Sequence, residues 1–454
     1  MEIHELISAQ RTFYESGKTR STAFRKAMLT RLRQALKDYD SQIGAALKAD
    51  LNKDPYETYF CETGLVLEEI SYHLRHLSRW NRVHRAKASL GQLPGRARIY
   101  PEPYGVALIM APWNYPVQLC LMPLVGAISG GNCAVVKPSA YAPKTSHVLC
   151  RMIEEVFPAE YIAVVEGGRQ ENQRLLDETF DRIFFTGSVE VGQYVMERAS
   201  RMLAPVTLEL GGKSPAIVDE TAELSLAARR IAFGKVLNAG QTCVAPDYLL
   251  IDRRVESVFL EEYQKALTSF FPDGDLSRMV HIVNEKHFDR LCGLLTDGKV
   301  AIGGKTDRET RWIEPTVLTG VSPQAPVMQQ EIFGPILPVI PFDRLDEAID
   351  FIRERPRPLA LYLFSRSRAA RDRVFGACSF GGGCLNDTIL HLAGTGMGFG
   401  GVGNSGMGSY HGKRSFEAFT HERSILLQSN RADVPLRYFP YDGKKDRLVR
   451  KLLK

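Results

Sequence analysis

The stretch YGVALIMAPWNYPVQLCLMPLVGAISGGNCAVVKPS, residues 104–139, decides the fold. Residues 106–110 and 133–136 are short apolar runs, and 116–129 between them is long enough to be a helix. Strands apolar on both faces and joined by a helix imply a parallel sheet covered on each side. This is the most apolar region of the chain. Pro112, Asn114, Pro116, Pro123 and a Gly pair interrupt it, so it cannot be a membrane span. The alternation continues with strand candidates at 161–165, 182–185 and 206–210, and helix candidates at 143–157, 169–178 and 189–203. Ligands of such sheets bind at the carboxyl ends of the strands. The polar residues gather there: Trp113 and Asn114, Lys137, Thr186 and Gly187, and Glu209.

Upstream, residues 5–17, 22–39, 41–52 and 56–82 read as helices, and 88–103 as a Gly/Pro-punctuated linker or protruding hairpin. Downstream, a second strand–helix series starts at Ser214, carries Cys243 after a helix over 224–238, and ends near Asn386. The run GTGMGFGGVGNSGMG, 394–408, holds G-x-G-x-x-G twice, but neither copy opens a helix directly after a strand, so it reads as a close-packed loop. By contrast RIFFTGSVEVG, 182–192, does run strand, turn, helix, and its helix start could hold a pyrophosphate. It lacks the Lys-Ser/Thr ending of a nucleotide-hydrolysing loop.

A chain of 454 residues should hold two or three domains, and 44% hydrophobic with 24% charged residues is ordinary for a globular protein. The net charge of +6 is modest, and the basic runs 75–87 and 444–454 read as solvated helix faces rather than a nucleic-acid stripe. Eight scattered cysteines without a C-x-x-C suit a reduced, intracellular setting. The N-terminus lacks the apolar core of a signal peptide. The expectation is a soluble, cytoplasmic protein. His73 and His76 stand three apart but lack an H-E-x-x-H pattern, so they read as a basic helix surface and no metal is expected.

The chemistry centres on NAGQTC, 238–243, with TLELGGK, 207–213, upstream. A thiol in a polar turn and a carboxylate at the end of an apolar run make a nucleophile and a base for covalent catalysis. Asn114, before a helix, is either a cap or an amide donor for a developing oxyanion. Taken singly, Cys243 could be an inert thiol, Glu209 a salt-bridged acid and Lys137 a surface lysine.

Together, the motifs PWNYP (112–116), KPS (137–139), FFTGS (184–188), LELGGKSP (208–215), NAGQTCVAPDY (238–248), EIFGP (331–335) and FGGVGNSGMGSYHGKRSF (399–416) closely resemble the aldehyde dehydrogenases that form a cysteine thioester. The nearest resemblance is to the class 3 (fatty and aromatic aldehyde) branch. It implies a Rossmann-like α/β cofactor domain (1–85 and 104–207), a second α/β catalytic domain (208–392), and a small β oligomerisation arm with the C-terminal tail (86–103 and 393–454). It implies oxidation of medium or long aliphatic, or aromatic, aldehydes to acids with NAD or NADP, in a homodimer. Cys243 would attack the aldehyde, Asn114 and the Cys243 N–H would hold the oxyanion, and Glu209 would activate the hydrolytic water. Trp113, Lys137, Thr186, Gly187, Ser188, Glu331 and Phe333 would contact the cofactor. Where the family often has a glutamate that repels a 2′-phosphate, this chain has Ala140, so NADP should be used as well as NAD. Two rivals are a CoA-acylating relative, which would generally lack the Glu209 carboxylate, and a catalytically silent protein on the same scaffold. The substrate channel is expected to include Tyr115, Leu119 and the 388–395 loop.

Overall fold

The structure, a computed structural model, describes residues 2–453. Its first sheet has six strands in the order Gly406–Met407, Val206–Leu210, Arg182–Gly187, Val106–Met110, Cys133–Lys137, Ile162–Val164. All neighbours run parallel except Gly406–Met407, which is antiparallel to Val206–Leu210. Every residue of Val106–Met110 and Cys133–Lys137 is buried, as a doubly covered sheet requires. The Pro116–Gly130 helix between them is buried along its whole length. Pro116 suits its first turn, and Gly131 ends it at φ 92°, a left-handed conformation glycine adopts freely.

A second sheet has seven strands in the order Lys299–Ile302, Thr316–Thr319, Ile336–Phe342, Tyr248–Asp252, Pro215–Val218, Ala360–Phe364, Gly382–Leu385. It is parallel apart from Lys299–Ile302 at one edge. A third, antiparallel sheet joins His84–Ala86, Arg96–Pro103 and Thr420–Leu427. No helix among the described residues is long and apolar enough to cross a membrane.

Three details differ from the sequence reading. The helix expected over 56–82 is split into Pro55–Thr58, a π turn Tyr59–Thr63, and Gly64–Trp80. The wider turn directs Glu62 inward, where it pairs with Lys53 at 2.7 Å, both side chains fully buried. His73 is not on a basic surface. It is buried, with Nδ1 2.7 Å from the Ser129 hydroxyl and Nε2 3.0 Å from Glu69. Nor does the stretch from 393 onward behave as one arm. Gly406–Met407 extends the first sheet, Lys413–Ala418 packs on the Pro116–Gly130 helix, and Thr420–Leu427 alone joins the third sheet.

Candidate active site

The Leu224–Val236 helix does not end in a cap but tightens into the turn Leu237–Gly240. Asn238 and Ala239 both sit at φ 52°, a conformation that costs energy in non-glycine residues. Hydrogen bonds hold it. The Asn238 N–H donates to Glu57 Oε1 at 2.9 Å, and its Nδ2 donates to the carbonyls of Asn114 (2.9 Å) and Gln241 (3.0 Å). Gln241 in turn donates to the Asn238 and His281 carbonyls and accepts from the Val283 N–H at 3.1 Å. A side chain on Gly240 would collide with the Gly334 carbonyl, so the turn lies against the 331–334 loop. Just beyond it stands Cys243, partly open to an apolar pocket.

Asn114 reaches this turn from the other sheet. Its Nδ2 donates to the Gln241 carbonyl at 3.0 Å, and its own carbonyl accepts from Lys53 at 3.2 Å as well as from Asn238. The other Glu62 oxygen accepts from the N–H groups of Val117 (3.0 Å) and Gln118 (2.9 Å), donors left free at the start of the Pro116–Gly130 helix. The buried Lys53–Glu62 pair thus fixes both the helix start and the Asn114 loop.

Glu209 is 2% exposed, and neither of its oxygens has a hydrogen-bond partner among the described residues. Desolvation raises its pKa well above the usual carboxylate range. The Cys243 thiol is also pushed up, first by burial and then by the neighbouring charges of Glu331 and Glu209. The thiol and both carboxylates therefore share one poorly solvated space. Such a set can form a covalent adduct at sulfur and hold a base beside it.

The expected cofactor residues fall in three places. Lys137, 3% exposed, donates to the carbonyls of Pro138 (2.7 Å) and Gly167 (2.6 Å) and lines a cleft of about 600 Å³ with Ala140, Arg169 and Glu190. Thr186 is in register with Glu209 on the adjacent strand, and its buried hydroxyl has no partner among the described residues. Gly187 follows, and Ser188 caps the Val189–Arg201 helix by accepting from the Val191 N–H at 3.4 Å. One of the N–H groups expected to be free is therefore occupied. Trp113 and Phe333 meet with ring centroids 5.5 Å apart, Phe333 at φ 54°. A side chain on Gly211 would collide with the Glu331 carboxylate, whose buried Oε1 has no partner. Burial and then the charge of Asp247 push Glu331 up to about 8. An open cleft near Lys137, with unpartnered polar atoms on Thr186 and Glu331, suits a long polar cofactor.

An apolar pocket reaches Cys243 from the other side. Tyr115, Leu119, Phe233, Leu237, Ile389, Leu392 and Phe399 line it, and the Tyr115 hydroxyl lies 2.6 Å from Thr242 Oγ1. Sequence reasoning anticipated Tyr115, Leu119 and the 388–395 loop but not Phe233, Leu237 or Phe399.

It also missed the scaffold. Lys213 pairs with Asp247 and donates to the carbonyls of Val327 (2.8 Å) and Gln330 (2.9 Å), while Asp247 accepts from the Ile332 N–H at 2.9 Å. Lys235 lies in the same charged cluster, fully buried, with its ammonium nitrogen unpartnered among the described residues. Lys213 and Asp247 stand inside the quoted motifs, but pairing across 34 residues leaves no local signal.

Comparison with known proteins shows the family. The model of the aldehyde dehydrogenase family matches residues 1–425. The chain is 47% identical over 449 residues to 4,4'-diaponeurosporen-aldehyde dehydrogenase of Staphylococcus aureus (strain NCTC 8325 / PS 47), covering 97% of each. It is 42% identical over 450 residues to the dimeric, NADP-preferring aldehyde dehydrogenase of Canis lupus familiaris, covering 98% of this chain and 99% of that one. The substrate-bound structure of Staphylococcus aureus AldH superposes with a TM-score of 0.98 at 45% identity over 100% of both chains. An indole-3-acetaldehyde dehydrogenase in complex with NAD+ superposes at 0.85 with 25% identity, covering 93% of this chain and 88% of that one. With its two mostly parallel sheets and a thiol close to the charges of Glu209 and Glu331, the chain belongs to the aldehyde dehydrogenase family, as an NAD(P)-dependent enzyme that oxidises aldehydes.

Proposed function

We propose that Cys243 is the nucleophile, Asn114 and the Cys243 N–H the oxyanion donors, and Glu209 the base that hydrolyses the acyl-enzyme. One observation carries this reading: the Glu209 carboxylate is buried beside Cys243 with no partner for either oxygen among the described residues. A buried acid left unpartnered is costly. It is worth keeping where it must take a proton from water.

In this mechanism Cys243, its thiol proton released to water, adds as the thiolate to the aldehyde carbon, and Asn114, pinned by the Gln241 and Asn238 hydrogen bonds, steadies the oxygen that becomes negative. A bound nicotinamide would supply the hydride acceptor that turns the thiohemiacetal on Cys243 into the thioester. Glu209 then draws a proton from water, whose oxygen attacks the thioester and releases the acid. Glu331 and Lys137 would hold the two ribose ends of the cofactor, Trp113 and Phe333 would flank it, and Thr186, Gly187 and Ser188 would line its turn.

The apolar pocket supports medium or long aliphatic, or aromatic, aldehydes as substrates. The chain divides functionally into a cofactor domain (1–85 and 104–207), a catalytic domain (208–392) and an assembly region made from the third sheet and tail. A homodimer formed through that sheet, in the cytoplasm, is the proposed state, supported by the dimeric relative's name. Light scattering on the purified protein checks the dimer.

NADH absorbance with a panel of aldehydes, with and without CoA, tests the chemistry. Acid release without CoA supports hydrolysis by Glu209, and turnover that requires CoA would replace it with acyl transfer. Activity surviving in Cys243→Ala would end the covalent mechanism.

A further inference from the structure

The cleft beside Lys137 contains a cation that the mechanism above does not use. Arg169 is the first residue of the Arg169–Asp177 helix, exposed on the cleft wall, and makes no hydrogen bond or ion pair among the described residues. The other arginine of this helix, Arg174, is turned away and paired with Glu2. The acids close to Arg169 in sequence are engaged elsewhere: Glu166 lies 3.5 Å from His147, and Glu171 accepts from the Gly168 N–H at 2.6 Å. Gly167, at φ 132°, leaves no room for a side chain against Glu171, so the chain turns sharply here and sets Arg169 at the mouth.

The surroundings suit an anion larger than a ribose hydroxyl requires. Lys137 is buried, and its hydrogen-bond partners Pro138 and Gly167 supply only neutral carbonyls, so its charge is offset only through space, by Glu171 and Glu166. Ala140, on the same wall, is exposed and offers neither a charge nor a hydrogen bond. The one carboxylate lining the cleft is Glu190, exposed on the first turn of the Val189–Arg201 helix and therefore well screened by water.

We propose that Arg169 is a specificity residue that binds the 2′-phosphate of NADP, with Lys137 beside it, so that this chain accepts NADP at least as readily as NAD. The inference rests on the reading of this cleft as the cofactor's adenosine end. A guanidinium offers paired donors to phosphate oxygens, and such charge-assisted bonds are about twice as strong as neutral ones. NAD presents a hydroxyl at that position and gains no such contact.

The experiment measures binding of 2′,5′-ADP and of ADP by titration calorimetry to the full-length protein, for wild type, Arg169→Gln, Arg169→Lys and Ala140→Glu. The kcat/KM ratio for NADP over NAD with one aldehyde is followed in parallel. Arg169→Gln should lower the 2′,5′-ADP to ADP affinity ratio and the NADP to NAD ratio each by about 10-fold, with Arg169→Lys in between. Ala140→Glu should lower both ratios too, by placing a like charge against the phosphate. Ratios unchanged in Arg169→Gln, including equal loss for both ligands because the arginine merely stacks on adenine, would overturn the proposal and leave the cleft assignment standing. Failure of the wild type to bind either nucleotide would overturn the cleft assignment itself.

Discussion

The two sides of the Cys243 turn are built differently. Behind it a hydrogen-bond network ties the elements together: Gln241 uses both amide atoms, Asn238 is tied to Glu57 and Asn114, and Asp247 links Lys213 to the Ile332 N–H, while the Lys235 ammonium and the side-chain oxygens of Asn238 and Asn114 stay unpartnered among the described residues. In front, Glu209, Thr186 and the Glu331 Oε1 atom have none among the described residues. Buried polar atoms are normally satisfied, and the unpartnered acids in front, unlike the amide oxygens and the lysine behind, are exceptions that the proposed ligand and reaction would account for.

The comparison breaks most sharply at the thiol. Cys243→Ala should reduce aldehyde-dependent NADH formation to background in a stopped-flow trace while the variant melts like wild type, since the turn is held by its neighbours. Glu209→Gln should keep a burst of NADH and then slow the steady state by about 10²–10⁴-fold, because acylation does not need that carboxylate. An absent burst would mean that Glu209 acts before the thioester. Asn114→Ala should lower kcat by about 10²–10³-fold.

Rear-face changes should act on stability instead. Asp247→Ala strands the Lys213 ammonium and should lower unfolding free energy by about 3 kcal/mol in denaturant titrations. The smallest effect sharpens the front. Glu331 has a pKa raised to about 8, so its contribution to stability is full below the usual carboxylate pKa and is lost as pH rises through about 8. Cofactor-free Glu331→Gln should therefore gain roughly 2–4 °C in melting temperature over wild type at pH 9 and little at pH 5. Equal curves at both values would mean that Glu331 is solvated.

The alternating apolar runs over 104–210 made the first parallel sheet readable, because strands buried on both faces leave continuous hydrophobic stretches. The front-face candidates could be named from the sequence because each lies in a short motif, Thr186 and Glu209 near the ends of apolar strands and Glu331 in EIFGP. The rear scaffold was not. Lys53, Glu62 and Asn238 act through partners distant in sequence, and the π turn that aims Glu62 looks like ordinary helix in the pattern of apolar positions. His73 was misplaced for the same reason, its partner Ser129 lying 56 residues away.

The edge strand Gly406–Met407 pairs with Leu208 and Glu209, and nearby Tyr410 feels the charges of both Glu209 and Cys243. This wall over the proposed site thus leaves the ribosome well after the thiol it shelters. During synthesis, which proceeds at about 5–20 residues per second, Cys243 spends on the order of ten seconds or more without that cover. Oxidants and stray electrophiles meet it most easily then, before the finished enzyme exists.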